Sequence, residues 1–532
     1  MARVFDTVPA LALGSLLFAG ACFSSYGLPD GTPDAALAET GVDSAPDFAD
    51  AEVDADPCEL VVGVGCEVVV DGYLKASNTG SGDLFGVSLA LDGNTLAVGA
   101  PLEGSSATGV NPDGQFSNSA PESGAVYVFV RSGDAWSQQA YIKASNTDAR
   151  DEFGTSVALD GDTLVVGATG EASRAMGVNP PTTSNITGEL SNRLSTSGAV
   201  YVYQRTGNRW TQEAYIKASD PGAGDEFGRS VAVDGGTLAV GAHLAGAGGR
   251  GAAHVFTRAG RTWREQAVLS AADGDFSDRF GESIALDGDT LVVGAPEEDS
   301  SVGGINPRAR DERARNAGAV YVFVRSGSSW TEQAYIKASN PDGADIFGQL
   351  VALNGDTLVV SAYFERSDAT GVNPPRGQAN NSADGAGAVY VFVRSRGAWS
   401  QQAYIKASNT EGDDQFGRAI ALEGDTLAVG AVGEDGDSTD VNGDEDNNDA
   451  ENAGAVYLFV RTGGRWSQRT YIKASNTDAG DAFGRALALS GNTLAVGAHL
   501  EDSSARGVEP EGGQEDNDAR DSGAVYVSRI AP

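Results

Sequence analysis

The sequence is poor in several residue types, and it lacks a segment that would cross a membrane as a helix. Only two Met, three Cys and three His occur among 532 residues, and none of the histidines has metal-ligand spacing. The apolar stretch from Val8 to Ala21 is too short to span a bilayer. Basic residues are also scarce, with 36 Lys and Arg against 74 Asp and Glu. The resulting net charge of -38 disfavours nucleic acids and anionic membrane surfaces as partners, and it favours divalent cations.

The few lysines and tryptophans fall at fixed points of a repeat. Each Lys lies inside a Tyr-Ile-Lys-Ala-Ser or near-identical string, and the six Trp recur at one position of the same unit. A Phe-Gly pair recurs seven times, with spacings of 68, 74, 53, 67, 69 and 67 residues. Its phenylalanines are Phe85, Phe153, Phe227, Phe280, Phe347, Phe416 and Phe483. A period of this kind predicts a repeat architecture.

One repeat unit, taken from the second copy, contains four short runs rich in Val, Leu, Tyr and Trp. The runs are residues 151–159, 163–168, 198–205 and 210–217. Because Gly, Asp, Asn and Ser separate them, they predict four β-strands, and the Asp160-Gly161 step predicts a tight hairpin between the first two. No part of the repeat has the 3.6-residue apolar spacing of a helix, so we predict an all-β fold.

The third run is almost continuously apolar in most units, which indicates a strand buried on both faces. Seven four-stranded sheets around an axis would form a β-propeller, whereas a linear solenoid would need polar caps at both ends. The chain ends favour the ring. The seventh copy stops after its third run, at residues 523–532, and residues 66–77 resemble the missing fourth run, with Val68 at the position of Trp136. We therefore predict a seven-bladed β-propeller of antiparallel blades, closed by an N-terminal strand in the last blade.

The Phe-Gly pair followed by Gly-Ala-Pro, as at Gly99-Ala100-Pro101, resembles the FG-GAP repeat of integrin α-subunits. The resemblance is closer still to bacterial FG-GAP repeat proteins of the cell envelope, and it covers about residues 65–530. It implies a seven-bladed propeller used for surface contacts, but it supplies no ligand. Integrin-type blades hold calcium in an acidic loop between their first two strands. Here that hairpin is a short triplet such as Asp92-Gly93-Asn94, which has too few oxygen ligands for the ion.

The chain divides into three segments. Residues 1–21 resemble an export signal peptide, which ends in Ala19-Gly20-Ala21 directly before Cys22. Cys22 is the candidate lipid-attachment site of a lipoprotein, and plain secretory cleavage at the same point is the alternative. Residues 22–57 are acidic and poor in aromatic residues, which predicts a disordered tether. Residues 58–532 form the predicted propeller, and we expect an outer-membrane lipoprotein or a secreted protein of the cell envelope.

Cys58 and Cys66 lie before the closing strand. In an oxidising envelope they could form a disulfide bond that pins the start of this strand. Two unpaired thiols are the alternative.

The loop between the second and third strands has about 22–29 residues in six units, and only the third unit has a short one, at residues 243–250. Loops of this length are usually functional or disordered, so we expect the face that carries them to contact any partner. In the sixth unit this loop has the alternating oxygen side chains of a calcium loop, although a solvated acidic loop is the alternative. The candidate ligands are Asp437, Asn442, Asp444, Asp446 and Asp449.

The residue after Phe-Gly varies between units, and it would lie near the mouth of the axial channel if the first strand is innermost. Three of these residues are Arg and one is Glu, so they could hold an anionic ligand, although solvated strand ends would explain them equally well. These candidates are Arg229, Glu282, Arg418 and Arg485.

We assign no catalytic residue, because Gly-x-Ser strings such as Gly154-Thr155-Ser156 lack the strand-to-helix context of a nucleophile elbow. The expected function is that of a non-enzymatic, monomeric binding or adhesion module that contacts protein or polysaccharide. One alternative is a polysaccharide lyase or glycosidase working at the channel, which would need a carboxylate pair about 5–9.5 Å apart. The other is a purely structural surface protein.

Overall fold

The computed structural model describes residues 68–180, 192, 194–272, 274–307, 311–439, 441–510 and 513–530. All named elements in these segments are β-strands, and none of the described residues belongs to a helix with the length and apolarity needed to cross a membrane. The strands of the N-terminal half are β1 (Val68–Leu74), β2 (Ser88–Asp92), β3 (Thr95–Ala100), β4 (Ala125–Ser132), β5 (Ala135–Ile142), β6 (Phe153–Asp160), β7 (Thr163–Ala168), β8 (Ala199–Thr206), β9 (Arg209–Ile216), β10 (Ser230–Asp234), β11 (Thr237–Ala242), β12 (Ala252–Ala259), β13 (Thr262–Leu269) and β14 (Ile284–Asp287). Those of the C-terminal half are β15 (Thr290–Ala295), β16 (Ala319–Ser326), β17 (Ser329–Ile336), β18 (Val351–Asn354), β19 (Thr357–Ala362), β20 (Ala388–Ser395), β21 (Ala398–Ile405), β22 (Ala419–Glu423), β23 (Thr426–Ala431), β24 (Ala455–Thr462), β25 (Arg465–Ile472), β26 (Phe483–Ser490), β27 (Thr493–Ala498) and β28 (Ala524–Ile530).

The strands form seven four-stranded antiparallel sheets, and each sheet is one blade of a ring. Blades 1 to 6 each contain four consecutive strands, from β2–β5 to β22–β25, and blade 7 has the order β1-β28-β27-β26. The first strands of successive blades contact one another, and β26 of blade 7 contacts β2 of blade 1. The predicted seven-bladed propeller is therefore confirmed, with the first strand of each blade innermost. We call the face with the 2–3 loops and the connections between blades the loop face, and the opposite face the turn face.

The N-terminal strand closes the ring as predicted. Val68 lies opposite Ile530, and Leu74 lies opposite Val525. This is the register in which Trp136 lies opposite Arg131 in blade 1, so β1 takes the place of an outer strand. Pairing with β1 leaves β28 without an open edge, which would otherwise be a template for association with another chain.

The core lies between the blades, because both faces of each sheet are covered. In blade 2, β7 is buried along its whole length, and the first five residues of β8 are buried as well. Phe153 packs edge-to-face on Tyr201, with ring centroids 5.2 Å apart, and Tyr201 packs on Tyr215 at 5.1 Å. Burial on both faces explains why the third strand has no polar alternation.

Neighbouring blades are also joined by hydrogen bonds from repeated residues. Between blades 1 and 2, Trp210 Nε1 donates to Gln139 Oε1 at 2.8 Å near the rim of the ring. At the turn face, the N–H of Gly161 donates to Asp92 Oδ2 at 2.6 Å. Near the axis, Ser88 Oγ donates to the carbonyl oxygen of Gly154 at 2.7 Å. The repeated Trp and the hairpin Asp therefore act in packing the ring, and equivalent bonds recur at other blade junctions.

Six blades contain a buried ion pair between the repeated Lys and a Glu that follows the second strand. In blade 2, Lys217 Nζ lies 2.6 Å from Glu171 Oε2, and both side chains are almost completely buried. The six pairs are Lys75–Glu501, Lys143–Glu103, Lys217–Glu171, Lys337–Glu298, Lys406–Glu365 and Lys473–Glu434. Blade 3 has Ala245 and Ser270 at these two positions, so it has lost both charges together.

Candidate binding site at the mouth of the axial channel

The innermost strands enclose an axial channel that contains a cavity of about 460 Å³. This volume lies within the range of small-molecule sites, which is roughly 300–1,000 Å³. The cavity is lined by the first residues of all seven inner strands, beginning with the residue after each Phe-Gly pair. Those seven residues are Val87, Thr155, Arg229, Glu282, Gln349, Arg418 and Arg485. They lie at the end of the channel that opens on the loop face, which we call the mouth.

A rigid turn before each inner strand holds these residues in place. In blade 2, Asp151 accepts a hydrogen bond from the N–H of Asp148 at 2.8 Å, and Glu152 has a φ of 55°. Gly154 has a φ of 97°, and a Cβ on it would lie only 2.6 Å from the carbonyl oxygen of Ala125 in blade 1. Glycine is therefore required at this point, where two blades approach closely.

The residue before Phe-Gly has a positive φ in all seven blades, although none of the seven is glycine. One of them is Ile346, whose branched side chain makes this backbone conformation unusual. The seven residues are Leu84, Glu152, Glu226, Arg279, Ile346, Gln415 and Ala482. The backbone of this turn is therefore the same in all seven blades, although the residue before Phe-Gly differs from blade to blade. The side chains near the mouth can thus vary without a change in the turn.

One half of the mouth contains charges that neutralise one another, and we call it the paired sector. Arg229 Nε and Nη2 donate to Glu282 Oε1 at 3.1 and 2.8 Å, and Gln349 Nε2 donates to the same oxygen at 2.9 Å. His243 Nε2 lies 3.7 Å from Glu226 Oε2 and 3.7 Å from Glu282 Oε2. The structure thus brings together two of the four channel candidates, Arg229 and Glu282.

The pKa values in the paired sector follow from burial and from these contacts. Burial is the largest single effect on Glu282 and would raise its pKa, but the charge and hydrogen bonds of Arg229, together with the neighbouring Arg279, hold that pKa below its ordinary value. Burial raises the pKa of Glu226 and lowers the pKa of His243 to about 4. At neutral pH, His243 is therefore uncharged, and the Glu282 carboxylate compensates Arg229.

The other two candidates, Arg418 and Arg485, lie in blades 6 and 7 beside Tyr363 and His499, and we call these four residues the arginine sector. The guanidinium carbon of Arg418 lies 4.8 Å from the ring centroid of Tyr363. Within the described residues, neither Arg418 nor Arg485 forms an ion pair with a carboxylate, in contrast to Arg229. The structure therefore leaves these two arginines outside the ion pair of Arg229 and Glu282.

Burial and mutual repulsion act on the arginine sector. Burial, together with the charges of Arg418 and Arg229, lowers the pKa of Arg485 to about 9, so this side chain is still charged at neutral pH. Burial, together with the charge of Arg485, lowers the pKa of His499 to about 3. The Nδ1 atom of His499 is buried and has no hydrogen-bond partner among the described residues. The sector is thus cationic, with an unused polar atom.

The long loops of six blades are fixed by a motif that the sequence analysis missed. In blade 1, the N–H of Asn111 donates to the carbonyl oxygen of Tyr141 at 2.7 Å, and Asn111 Oδ1 accepts the N–H of Tyr141 at 2.8 Å. The residues that take this place in the six blades are Asn111, Asn179, Asn306, Asn373, Asn442 and Glu509. Each loop therefore lies back against the outer strand of its own blade. The recurrence of Val-Asn or Ile-Asn within the loops was the available signal.

Blade 3 has a short loop without this motif, and apolar side chains are exposed beside it. Val268, near the end of β13, is 52% exposed, and Phe276 in the following connection is 68% exposed. The short loop that the sequence predicts in the third unit is therefore accompanied by exposed apolar side chains.

The calcium candidates in blade 6 lie in a largely exposed loop. Asn442 Oδ1 accepts the N–H of Tyr471 at 3.0 Å, and Asp444 Oδ1 accepts the N–H of Asp446 at 3.2 Å. Asp437 and Asp449 are exposed as well. In the part of the chain that the structure describes, no three His, Cys, Asp or Glu side chains are grouped so as to hold a metal ion. Calcium binding by this loop stays a prediction.

The remaining sequence candidates have other positions. His254 Nδ1 lies 2.7 Å from Glu265 Oε1, and its ring packs on Phe227 where the other blades have Tyr. The signal peptide, the tether, Cys22, Cys58 and Cys66 lie outside the described residues.

Comparison with known proteins identifies the repeat. Seven segments match the model of the FG-GAP repeat, and they cover most of the chain. They are residues 71–129, 136–179, 210–256, 263–323, 330–392, 399–459 and 466–528. The protein therefore belongs to the FG-GAP repeat family. Each segment starts in the outer strand of one blade and, except in the second, reaches the third strand of the next, so the sequence repeats interlock successive blades.

No curated protein matches the chain. Among solved structures, a chain in the crystal structure of the mitotic checkpoint complex is 11% identical, with a TM-score of 0.43, and the match covers 89% of this chain and 98% of that one. A protein of Bacteroides uniformis ATCC 8492 proposed to be a 6-phosphogluconolactonase is 9% identical, with a TM-score of 0.40 and coverage of 73% and 85%. Nothing about function follows from similarities this low.

Proposed function

We propose that the protein is a non-enzymatic binding or adhesion module of the cell envelope, and that its loop face contacts a protein or polysaccharide. The observation that supports this most is the distribution of exposed apolar side chains. Among the described residues, six large apolar side chains are exposed, and all except Val69 lie on the loop face or at its edge. These five are Phe116, Met176, Val268, Phe276 and Phe364. Contact surfaces are marked by exposed apolar side chains that lie together rather than scattered over the whole molecule, and the bias of these five towards the loop face supports that face as the contact surface.

The scaffold supports the same proposal because it holds the loop face in a fixed shape. The long loops are bound to the outer strands by the Asn motif, and the blades are tied to one another at the rim, the axis and the turn face. A preformed surface loses less conformational entropy when a partner binds, which favours affinity. Functional residues are commonly carried by loops on a rigid scaffold of this kind.

The proposal is tested by measuring saturable binding of envelope and matrix fractions, separated into protein and polysaccharide, to the immobilised protein with and without calcium. Phe116→Ser and Phe276→Ser should each weaken binding. The matched control Val69→Ser removes an exposed apolar side chain of β1, away from the loop face, and should not. Equal loss in all three variants, or no saturable binding to any fraction, would contradict the proposal. If binding were lost when calcium is removed, the ion would be part of the interface, and the blade 6 loop would be its candidate site.

The envelope location is part of the proposal, with a lipid on Cys22 as its anchor. A chain with two or more acyl groups would remain membrane-bound, because one acyl group alone binds only marginally. Cys22→Ser should release the protein into the medium. Retention of this variant in the membrane fraction would show that another feature anchors it.

A polysaccharide-cleaving enzyme is the second candidate, because the channel mouth contains a carboxylate pair. Glu226 Oε2 and Glu282 Oε2 both lie 3.7 Å from His243 Nε2, so these oxygens lie within twice that distance of each other. Paired acids at about 5–9.5 Å are used in glycoside cleavage, and their pKa values are typically shifted apart, as they are here. Glu282, however, is buried and bound by Arg229 and Gln349, which weakens it as a base or nucleophile.

The enzyme candidate is tested with uncharged and acidic polysaccharides as substrates. Cleavage by the native protein that is lost in Glu226→Gln would favour it over the binding module. Absence of cleavage from the panel, combined with binding that Glu226→Gln retains, is the result we expect.

A further inference from the structure

We propose that the arginine sector of the channel mouth is a binding site for a small oxyanion, such as a carboxylate, sulfate or phosphate group, held between Arg418 and Arg485. This site is separate from the loop-face contacts of the proposed function and does not depend on them. The chemistry that recognises the ligand is the fixed pair of guanidinium groups, each of which can donate two parallel hydrogen bonds to an oxyanion.

The first argument is an imbalance of charge within one ring of equivalent positions. Arg229, Arg418 and Arg485 each follow a Phe-Gly pair, so the fold places all three in the same way. Arg229 is paired with Glu282 at 2.8 Å, whereas the other two have no carboxylate partner among the described residues. In a chain with a net charge of -38, acidic side chains are plentiful, so missing partners at two adjacent positions are unexpected.

The second argument is geometric. Arg418 and Arg485 belong to blades 6 and 7, which are neighbours, so their side chains enter the mouth side by side. Stacking on Tyr363 at 4.8 Å restricts Arg418. His499 follows the second strand of blade 7. Its buried Nδ1 has no hydrogen-bond partner among the described residues, so it can bond to a ligand atom. Three polar groups therefore border one space without satisfying one another.

The third argument is energetic. An uncompensated cation that is removed from water destabilises a fold, and an anion placed between two such cations relieves both the burial and their repulsion. The lowered pKa of Arg485 reflects that burial and repulsion. Deeper in the channel, the lining near this sector is aliphatic, with Leu89, Ile420 and Leu487, so it offers no competing charge. The cavity of about 460 Å³ has room for a sulfate ion or for a monosaccharide with a carboxylate.

The experiment titrates the full-length protein with sodium sulfate, sodium phosphate and sodium glucuronate by calorimetry, at constant ionic strength in chloride. We expect saturable binding of at least one oxyanion. Arg418→Gln and Arg485→Gln should each weaken it about 10- to 100-fold, since each loses charge-assisted hydrogen bonds. The control Arg279→Gln removes a nearby arginine that does not line the cavity and is paired with Glu297 at 2.9 Å, so this variant should bind as the native protein does.

Thermal melts provide the second readout. The oxyanion should raise the Tm of the native protein and of Arg279→Gln, but not that of Arg485→Gln, whose Tm without oxyanion should equal or exceed that of the native protein. Binding of glucuronate in preference to sulfate and phosphate would identify an acidic sugar as the ligand, and equal binding of all three would identify a free oxyanion. Three results would overturn the proposal. They are the absence of saturable binding, equal weakening of binding by all three substitutions, and a Tm of Arg485→Gln that is lower than that of the native protein without oxyanion.

Discussion

The buried pair of Glu171 and Lys217 gives the most direct test of how a blade is stabilised. Lys217 Nζ lies 2.6 Å from Glu171 Oε2 and 2.7 Å from Ser197 Oγ, and the side chains of Glu171 and Lys217 are at most 1% exposed. Glu171→Ala would leave the ammonium group buried with a hydroxyl as its remaining partner. Breaking such a pair from one side costs about 3–5 kcal/mol of unfolding free energy.

Blade 3 supplies the matched double variant, because it has Ala245 and Ser270 where blade 2 has Glu171 and Lys217. Glu171→Ala/Lys217→Ser removes both charges. It leaves a space and the Ser173 and Asn146 donors without their carboxylate, but Glu171→Ala alone leaves those donors as well. We therefore expect the double variant to be more stable than Glu171→Ala alone. Because the double variant should cost no more than Glu171→Ala, the coupling energy should be at least the cost of Lys217→Ser alone, which is about 3 kcal/mol.

The assay is urea unfolding followed by tryptophan fluorescence, for which Trp210 in the same blade is only 4% exposed. Asp162→Ala serves as the control, since it breaks an exposed ion pair with Arg205 and should cost less than about 1 kcal/mol. If the two single costs simply add in the double variant, the ion-pair reasoning is wrong.

A pH series separates charge from packing in the same variant. Burial lowers the pKa of Lys217, and Glu171 opposes that shift. Without Glu171 the folded protein binds the lysine proton more weakly than the unfolded chain does, so stability increases with rising pH. The loss of unfolding free energy caused by Glu171→Ala should therefore shrink as the pH approaches the ordinary lysine pKa. A deficit independent of pH would indicate a packing effect alone.

Three further predictions concern other parts of the ring. Burial raises the pKa of Asp345 to about 7, so the folded state keeps a proton that the unfolded chain loses near pH 4. The stability measured in thermal melts should therefore fall from pH 4 to 7, and Asp345→Asn should flatten this slope. Deletion of residues 59–77 exposes the edge of β28 and should lower the Tm or cause oligomers in gel filtration; an unchanged monomer would contradict ring closure. Asn373→Ala should speed hydrogen exchange at the Tyr404 amide, whereas Asn373→Asp, which keeps the acceptor, should not.

Much of the fold could be predicted from the sequence because the physical signals are local and repeated seven times. Asp-Gly hairpins, apolar third runs and the incomplete last copy predicted the strands, their burial and the closure by Val68–Leu74. The partner of the repeated lysine was not predicted, because Glu171 lies 46 residues before Lys217, at the start of a long loop. The sequence did contain a signal for this pair, because the third unit lacks both the Glu and the Lys.

The position of the mouth was predicted from the Phe-Gly repeat, but its electrostatics were not. Whether an arginine is paired depends on which side chains the ring order places beside it. Glu282 follows Arg229 in the next blade and binds it, whereas the equivalent positions of the blades that flank Arg418 and Arg485 are Gln349 and Val87. Tyr363 was missed because it follows the second strand, where residue type varies between units without an evident period.

The loss of both charges in blade 3 also indicates what the buried pair does in the other blades. The carboxylate of Glu171 accepts the N–H of Ser173, in the first turn of the long loop, at 3.1 Å and the side-chain amide of Asn146, in the preceding connection, at 3.2 Å. With Lys217 it thus joins the loop to the outer strand and to the neighbouring blade. Blade 3 has a short loop, so there is no long loop to be joined to its outer strand. A lysine at this position of blade 3 would be a buried charge without a partner. The pair is therefore a device for holding the long loops, and Glu171→Ala should increase protease cleavage within the blade 2 loop more than within the strands.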